Sequence, residues 1–351
     1  MVARQIILSF DMCMAPSESS QPSQRHSRPV HEWIVAGTLV VTSLAAVAAL
    51  FFTRQSIQEA TNQLRISEEG QITDRYNAAI TNLGSRSIDI RLGGIYALQR
   101  LMQDSPRDQA TVIAVLCAFV RDQASYHPRT LNPPEPVEYQ QPTDIQAALT
   151  VVGTRDTKHD MRTTVVDLEG TKLINARLES VHFHRADFTQ ANLFGADLNG
   201  ADLNGANLLG ADLSNSGLND ADLSHANLRD ANLFAAGLSG ADLTRAYLAY
   251  ADLGIVHAHG AHLNGAKLYA ADLTGADLDR ADLTGANFTG AKLTSTNFTG
   301  ADLTGANFTG AKLTRANFTD ADLTGASWPA RAAVPHGWLR DTHSGRLRRA
   351  P

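Results

Sequence analysis

From residue 166 onward the chain obeys a five-residue ruler. Leucine, phenylalanine or, at the end, tryptophan falls on positions ending in 3 or 8, from Leu168 to Trp328, and alanine usually stands two residues earlier. Ala196-Asp197-Leu198-Asn199-Gly200 and Ala301-Asp302-Leu303-Thr304-Gly305 show the pattern, which runs for thirty-three units without an insertion. A period of five matches neither the 3.6 of an α-helix nor the 2 of a meandering strand. One large and one tiny apolar residue per unit fit a chain that turns a corner every five residues. The large side chain fills the interior, alanine lets the backbone approach closely, polar residues face outward and glycine relaxes the turn.

This A-[DN]-[LF]-x-x pattern over 166–328 resembles the pentapeptide-repeat family. The resemblance implies a right-handed quadrilateral β-helix, all-β, with four units per coil. About eight coils, stacked at the ~4.8 Å strand spacing, would then span about 40 Å. Residues twenty apart should stack. Phe288, Phe308 and Trp328 should form one interior column and Phe298 with Phe318 the opposite one, giving the C-terminal end an aromatic core. Val256 and Ala258 invert the ruler, so a local distortion is expected at 254–260. Beyond Pro329, Trp338-Leu339 and Arg346-Leu347 could pair as a hairpin over the last coil, making 329–351 a cap or tail.

Upstream lies a different kind of chain. Residues 1–32 are rich in Ser, Gln, Pro and Arg and read as a disordered tail. Residues 33–52, WIVAGTLVVTSLAAVAALFF, carry no charge. A helix of that length rises roughly 30 Å, one hydrocarbon core, with Trp33 and Arg54 at its two ends. No small-x-small cleavage site follows, so the segment reads as an uncleaved transmembrane helix. Residues 53–125 read as a small α-helical module. Its apolar stripes are Ile57, Ala60 and Leu64, then Tyr76, Ile80 and Leu83, then Leu92, Ile95, Leu98 and Met102, then Val112, Val115, Leu116 and Phe119. Ser105-Pro106-Arg107-Asp108 reads as a helix start capped by Ser105. Residues 126–142 hold a proline-rich linker. Residues 143–153 read as a capping helix for the solenoid, started by Thr143-Asp144 and closed by Gly153. Gly70 to Tyr76 and Arg91 to Leu98 also look like the leader of bacterial membrane-associated pentapeptide-repeat proteins.

Chemistry is sparse. Cys13 and Cys117 suggest free thiols, not a disulfide framework. His257, His259 and His262 have a zinc-like spacing but fall on outward slots spread over two faces, and His182 and His184 also lie in outward slots. The recurrent aspartates follow the repeat as acceptors for turn N–H groups. Neither a catalytic residue, a cofactor site nor a metal site is expected. A net charge of −6 argues against direct nucleic-acid binding. One feature exceeds the repeat grammar. The slot before the central residue, followed every twenty residues, reads His182, Asp202, Asp222, Asp242, His262, Asp282, Asp302, Asp322. These aspartates form a candidate interaction face.

The reading is a non-enzymatic scaffold in the cell membrane. It crosses the lipid bilayer once through 33–52 and presents a rigid solenoid to a protein partner, with homodimerisation left open. The positive-inside count is tied, and the unpaired cysteines favour a cytoplasmic solenoid. The resemblance also implies an alternative, an acidic mimic of duplex DNA that regulates a DNA-binding enzyme such as gyrase.

Overall fold

The computed structural model describes residues 30–126, 139–161 and 163–351, with 30–36 as backbone only. Residues 1–29 of the expected tail, Cys13 among them, and linker residues 127–138 lie outside the described residues, while residues 30–32, expected in the tail, already belong to the first helix. The chain divides into two compact units, residues 1–68 and 69–351.

Helix α1 runs from Val30 to Leu83 without interruption. It joins the apolar segment to the first stripe of the expected helical module, because no proline occurs between Val30 and the glycine-serine stop at Gly84-Ser85. In the first unit Leu39, Val47, Leu50, Phe51 and Phe52 are well exposed, and so are Ile57 and Leu64. The Ile57 stripe is therefore not a buried face. Gly37–Leu83 is long and apolar enough to cross a membrane, with a mean hydropathy of 1.6 in its most apolar stretch.

In the second unit α2 (Ile88–Asp104), α3 (Gln109–Gln123) and α4 (Thr143–Gly153) pack together with the end of α1. Ile95, Leu98, Val112, Ile113, Leu116 and Leu149 are fully buried. A Cβ on Gly94 would stand 2.8 Å from the Ala79 carbonyl, so glycine permits this close helix crossing. Two expected caps work differently. The Ser105 hydroxyl donates to Asp108 at 2.6 Å, and a short 3₁₀ turn over Pro106–Asp108 leads into α3. Asp144 lies inside the first turn of α4, where its buried carboxylate accepts from Arg91 at 2.7 Å. Cys117 is buried in α3. Burial pushes its thiol up to about 12, against the pull of Arg121 and Arg155.

From Asp167 to Ser327 one residue in every five is joined by a parallel bridge to the residue twenty further on. Four ladders result, one per face: face 1 from Asp167, face 2 from Lys172, face 3 from Arg177 and face 4 from His182. The chain is thus a four-sided β-solenoid. It contains little strand in the ordinary sense. A unit that turns every five residues leaves one bridged residue per face, and among the described residues extended pairing occurs only in the hairpin of β1 (Trp338–Arg340) and β2 (Leu347–Arg349). The interior is dry: Leu283, Phe288, Phe298, Leu303 and Phe308 are fully buried. Phe288 stacks on Phe308 at 5.0 Å and Phe298 on Phe318 at 5.1 Å, with Trp328 edge-on to both columns. Where Thr171, Ser216 and Thr296 replace alanine, each hydroxyl donates to a buried carbonyl.

The expected distortion at 254–260 does not break the ladder. His257 bridges Gly237 and Asp277, and Ala258 N–H donates to Asp277 at 2.8 Å. Backbone pairing overrides the inverted side chains, and Val256 and Ala258 remain buried.

The two ends of the solenoid are closed unequally. At the N-terminal end Lys172 N–H donates to Ala124 O and His182 N–H to Gly153 O, while the Gln141 and Gln146 amides bond the backbone of faces 2 and 3. At the C-terminal end Ser327 on face 1 pairs antiparallel with Arg346, and Leu347, the first residue of β2, is buried against the last coil.

Candidate functional site

On face 4 the bridges run His182–Asp202–Asp222–Asp242–His262–Asp282–Asp302–Asp322, bringing all six expected aspartates onto one ladder. Each is tied to its own turn. An Oδ1 of Asp202, Asp242, Asp282 and Asp302 accepts the N–H two residues on at 2.8–3.1 Å. Asp222 and Asp322 accept a hydroxyl as well, from Ser224 and Thr324. The Thr324 hydroxyl and N–H hold the Asp322 carboxyl below its ordinary value, burial opposes them and Arg349 assists. Repetition with short side chains builds this column. Asp and Asn serve the turn equally, so the choice of Asp over Asn on face 4 adds charge beyond what the turn requires.

The histidines do not converge. His257 and His259 belong to face 3, where His259 bonds Asp279 at 2.7 Å, while His262 sits in the face 4 ladder. No group of three or more His, Cys, Asp or Glu suited to a metal ion occurs among the described residues. His184 lies 3.8 Å from Asp160 and 3.7 Å from Asp202.

Two features went unnoticed in the sequence. On face 1 an exposed cluster replaces the usual Asn and Thr: Tyr250 and Tyr269 meet edge-to-face at 5.4 Å, Arg229 lies over Tyr250 and Lys267 over Tyr247. Sorting the ruler by twenties would have shown it. The second feature is a cleft of about 770 Å³ at the C-terminal end, lined by Phe318, Asp320, Trp328, His336, Trp338 and Arg349 among others. It forms because the last units of faces 2 and 3 have no coil above them, leaving Leu313 and Phe318 only partly buried.

The family described as pentapeptide repeats matches this ladder in eight copies, over residues 166–200, 191–230, 226–254, 261–300 and 291–327. The chain belongs to the pentapeptide-repeat family. Membership rests on the repeat itself, and it implies a right-handed coil. The gap in the match at 255–260 coincides with the inverted unit, which keeps its backbone pairing all the same. Among solved structures, HetL, a pentapeptide repeat protein involved in heterocyst differentiation regulation from the cyanobacterium Nostoc sp. strain PCC 7120, is 38% identical over 47% of this chain and 82% of its own, with a TM-score of 0.29. Rfr23 from the cyanobacterium Cyanothece 51142 is 33% identical over 29% of this chain and 58% of its own, with a TM-score of 0.16. QnrB1, a plasmid-mediated fluoroquinolone resistance protein, is 20% identical over 45% and 84%, with a TM-score of 0.25. No curated protein is significantly similar to the chain. The matching family is one of repeats that serve structure and interaction, and no enzyme family is indicated.

Proposed function

We propose that this pentapeptide-repeat protein is a membrane-anchored, non-enzymatic scaffold whose solenoid offers a rigid surface to a protein partner. The observation that carries the reading is the unbroken four-ladder frame. It holds outward side chains at fixed axial intervals over a core of buried Leu, Phe and Ala. The anchor is supported by the apolar face of α1. Leu39, Val40, Val41, Leu44, Val47 and Leu50 are 56–71% exposed, a surface that water disfavours and lipid does not. The hydroxyls in that stretch are satisfied within the helix: Thr42 donates to Thr38 O, Ser43 to Val40 O and Thr53 to Ala49 O. Hydrocarbon requires such internal satisfaction. Fractionation followed by crosslinking tests both parts. The full chain stays in the membrane pellet through high-salt and carbonate washes and crosslinks there to a protein. Release by carbonate removes the anchor, and membranes without a crosslinked protein remove the scaffold.

The face 4 column favours a second reading, an acidic mimic that regulates a DNA-binding enzyme such as gyrase. Its spacing argues against a close imitation. Bridged carboxylates repeat at the ~4.8 Å strand spacing, whereas phosphates on one DNA strand advance about 3.4 Å along the axis. Inhibition or protection of gyrase supercoiling by the purified full chain would favour mimicry over the scaffold.

A further inference from the structure

The open C-terminal end of face 3 repeats, unfilled, a pairing that the same molecule fills on face 1. There the chain's own strand is received by three backbone groups: Gly325 N–H donates to Leu347 O at 2.8 Å, Leu347 N–H donates to Ala326 O at 2.9 Å, and Trp328 N–H donates toward Gly345 O at 3.4 Å. Arg315, Ala316 and Phe318 hold the same places in the unit two corners earlier. One coil below, the matching N–H groups of Ser295 and Phe298 donate to Thr314 O and Asn317 O. Among the described residues, neither Arg315 N–H nor Phe318 N–H has a backbone acceptor, and Ala316 O accepts no backbone donor. The cleft lies directly against this edge. Ala316 and Phe318 line it from the solenoid, and His336, Trp338 and Arg349 from the segment beyond Trp328.

We infer that this edge binds a short extended segment of a partner protein, added antiparallel as β2 is added to face 1. One apolar side chain of the segment enters the cleft beside Phe318, and its outward positions are acidic. This names the partner chemistry for the scaffold reading above and rests on it. Backbone pairing at an unsatisfied edge supplies affinity, and the flanking side chains supply selection. The selection follows from charge. Residues 329–351 carry Arg331, Arg340, Arg346, Arg348 and Arg349 against Asp341 alone. Lys312 and Arg315 are exposed on the open coil, and Asp320 is the one acid lining the cleft. The same charges disfavour a second copy meeting this one end to end, because two arginine-rich ends would then face each other.

The test titrates the full chain, in detergent micelles, with a labelled peptide alternating valine and glutamate. Saturable binding is expected, weakened about tenfold or more when glutamate is exchanged for lysine and by Arg349→Glu at low salt. N-methylation of the peptide amide that faces Ala316 O should abolish binding, an arm that leaves the protein's own folding untouched. Equal binding of the N-methylated or lysine peptide overturns the inference. So does sedimentation as a dimer that the peptide fails to dissociate, which would assign the end to a second copy. Absent peptide binding with membrane crosslinks intact removes this end site alone. Peptide binding without any crosslinked protein leaves the end site and removes the scaffold.

Discussion

Ile255 sits at φ 47° in the fifth position of its unit, where seventeen non-glycine residues of the solenoid share the left-handed conformation with the glycines. A β-branched side chain is the least suited to it, and the setting costs about 1–2 kcal/mol. Asn175 and Asn215 occupy the same corner on earlier coils. Ile255→Asn should therefore stabilise the solenoid by about 1 kcal/mol in urea denaturation. An unchanged or lower midpoint would show that Ile255 gains from packing what its backbone loses. The interior position makes the opposite claim. Leu303 is fully buried, and Leu303→Asp should cost more than about 4 kcal/mol and abolish cooperative melting. Thr304→Asp, one residue on and partly exposed, should stay within about 0.5 kcal/mol of the parent. Equal melting of the two would place the ruler in the wrong register. The interior was legible in the sequence because size and polarity repeat together at Leu303 and its equivalents. The left-handed corner was legible only through its glycines. Arg315 and Tyr250 adopt it because four ladders fix the backbone on either side.

At the scale of elements, α1, α2 and α3 follow from apolar spacing, but their joints do not. The pairing of Asp144 with Arg91 spans 53 positions, so the sequence near Asp144 shows a helix cap and nothing of the ion pair. The Ser105 hydroxyl instead donates to the Asp108 carboxylate three residues on, and the Asp108 N–H is served by the Ser105 carbonyl and not by its side chain. The junction of α4 with the first coil is a contact between elements and carries its own prediction. A Cβ on Gly153 would meet Val181 Cγ1 at 2.7 Å, and the Gly153 carbonyl accepts from His182 N–H. Gly153→Ala should lift α4 from the coil and cost about 1–3 kcal/mol by overpacking. Exposure of the solenoid's N-terminal edge would appear as faster amide exchange at His182 and Phe183. A variant with parent stability and parent exchange there would mean that α4 does not seal the solenoid.

At the scale of the whole molecule, charge is segregated: aspartates line face 4 of the solenoid, while arginines gather in the residues beyond Trp328. The acidic column can be tested separately from the fold because the structure shows what its residues do locally. Asn287, Asn297, Asn307 and Asn317 accept the same turn N–H two residues on, at 3.0–3.2 Å, as Asp282 and Asp302 accept theirs at 2.9–3.0 Å. Changing Asp282, Asp302 and Asp322 together to Asn therefore keeps every turn acceptor and removes three charges. The melting midpoint should change little, since relief of the repulsion between stacked carboxylates, on the order of 1 kcal/mol or less per exposed pair, offsets the loss of the charge-assisted bonds from Thr324 that hold Asp322 ionised. If face 4 is an interaction surface, crosslinking of the triple variant to its membrane partner should fall several-fold at low ionic strength. The deficit should shrink at high salt, where the parent's exposed charges are screened as well. Binding of the valine-glutamate peptide at the C-terminal cleft should hold or tighten slightly, because the triple change leaves Arg315, Ala316 and Phe318 in place and removes a carboxylate that acts on Arg349. A triple variant that folds and crosslinks like the parent at every salt concentration would reduce the column to a solvating face and leave partner binding to the open end and the tyrosine cluster.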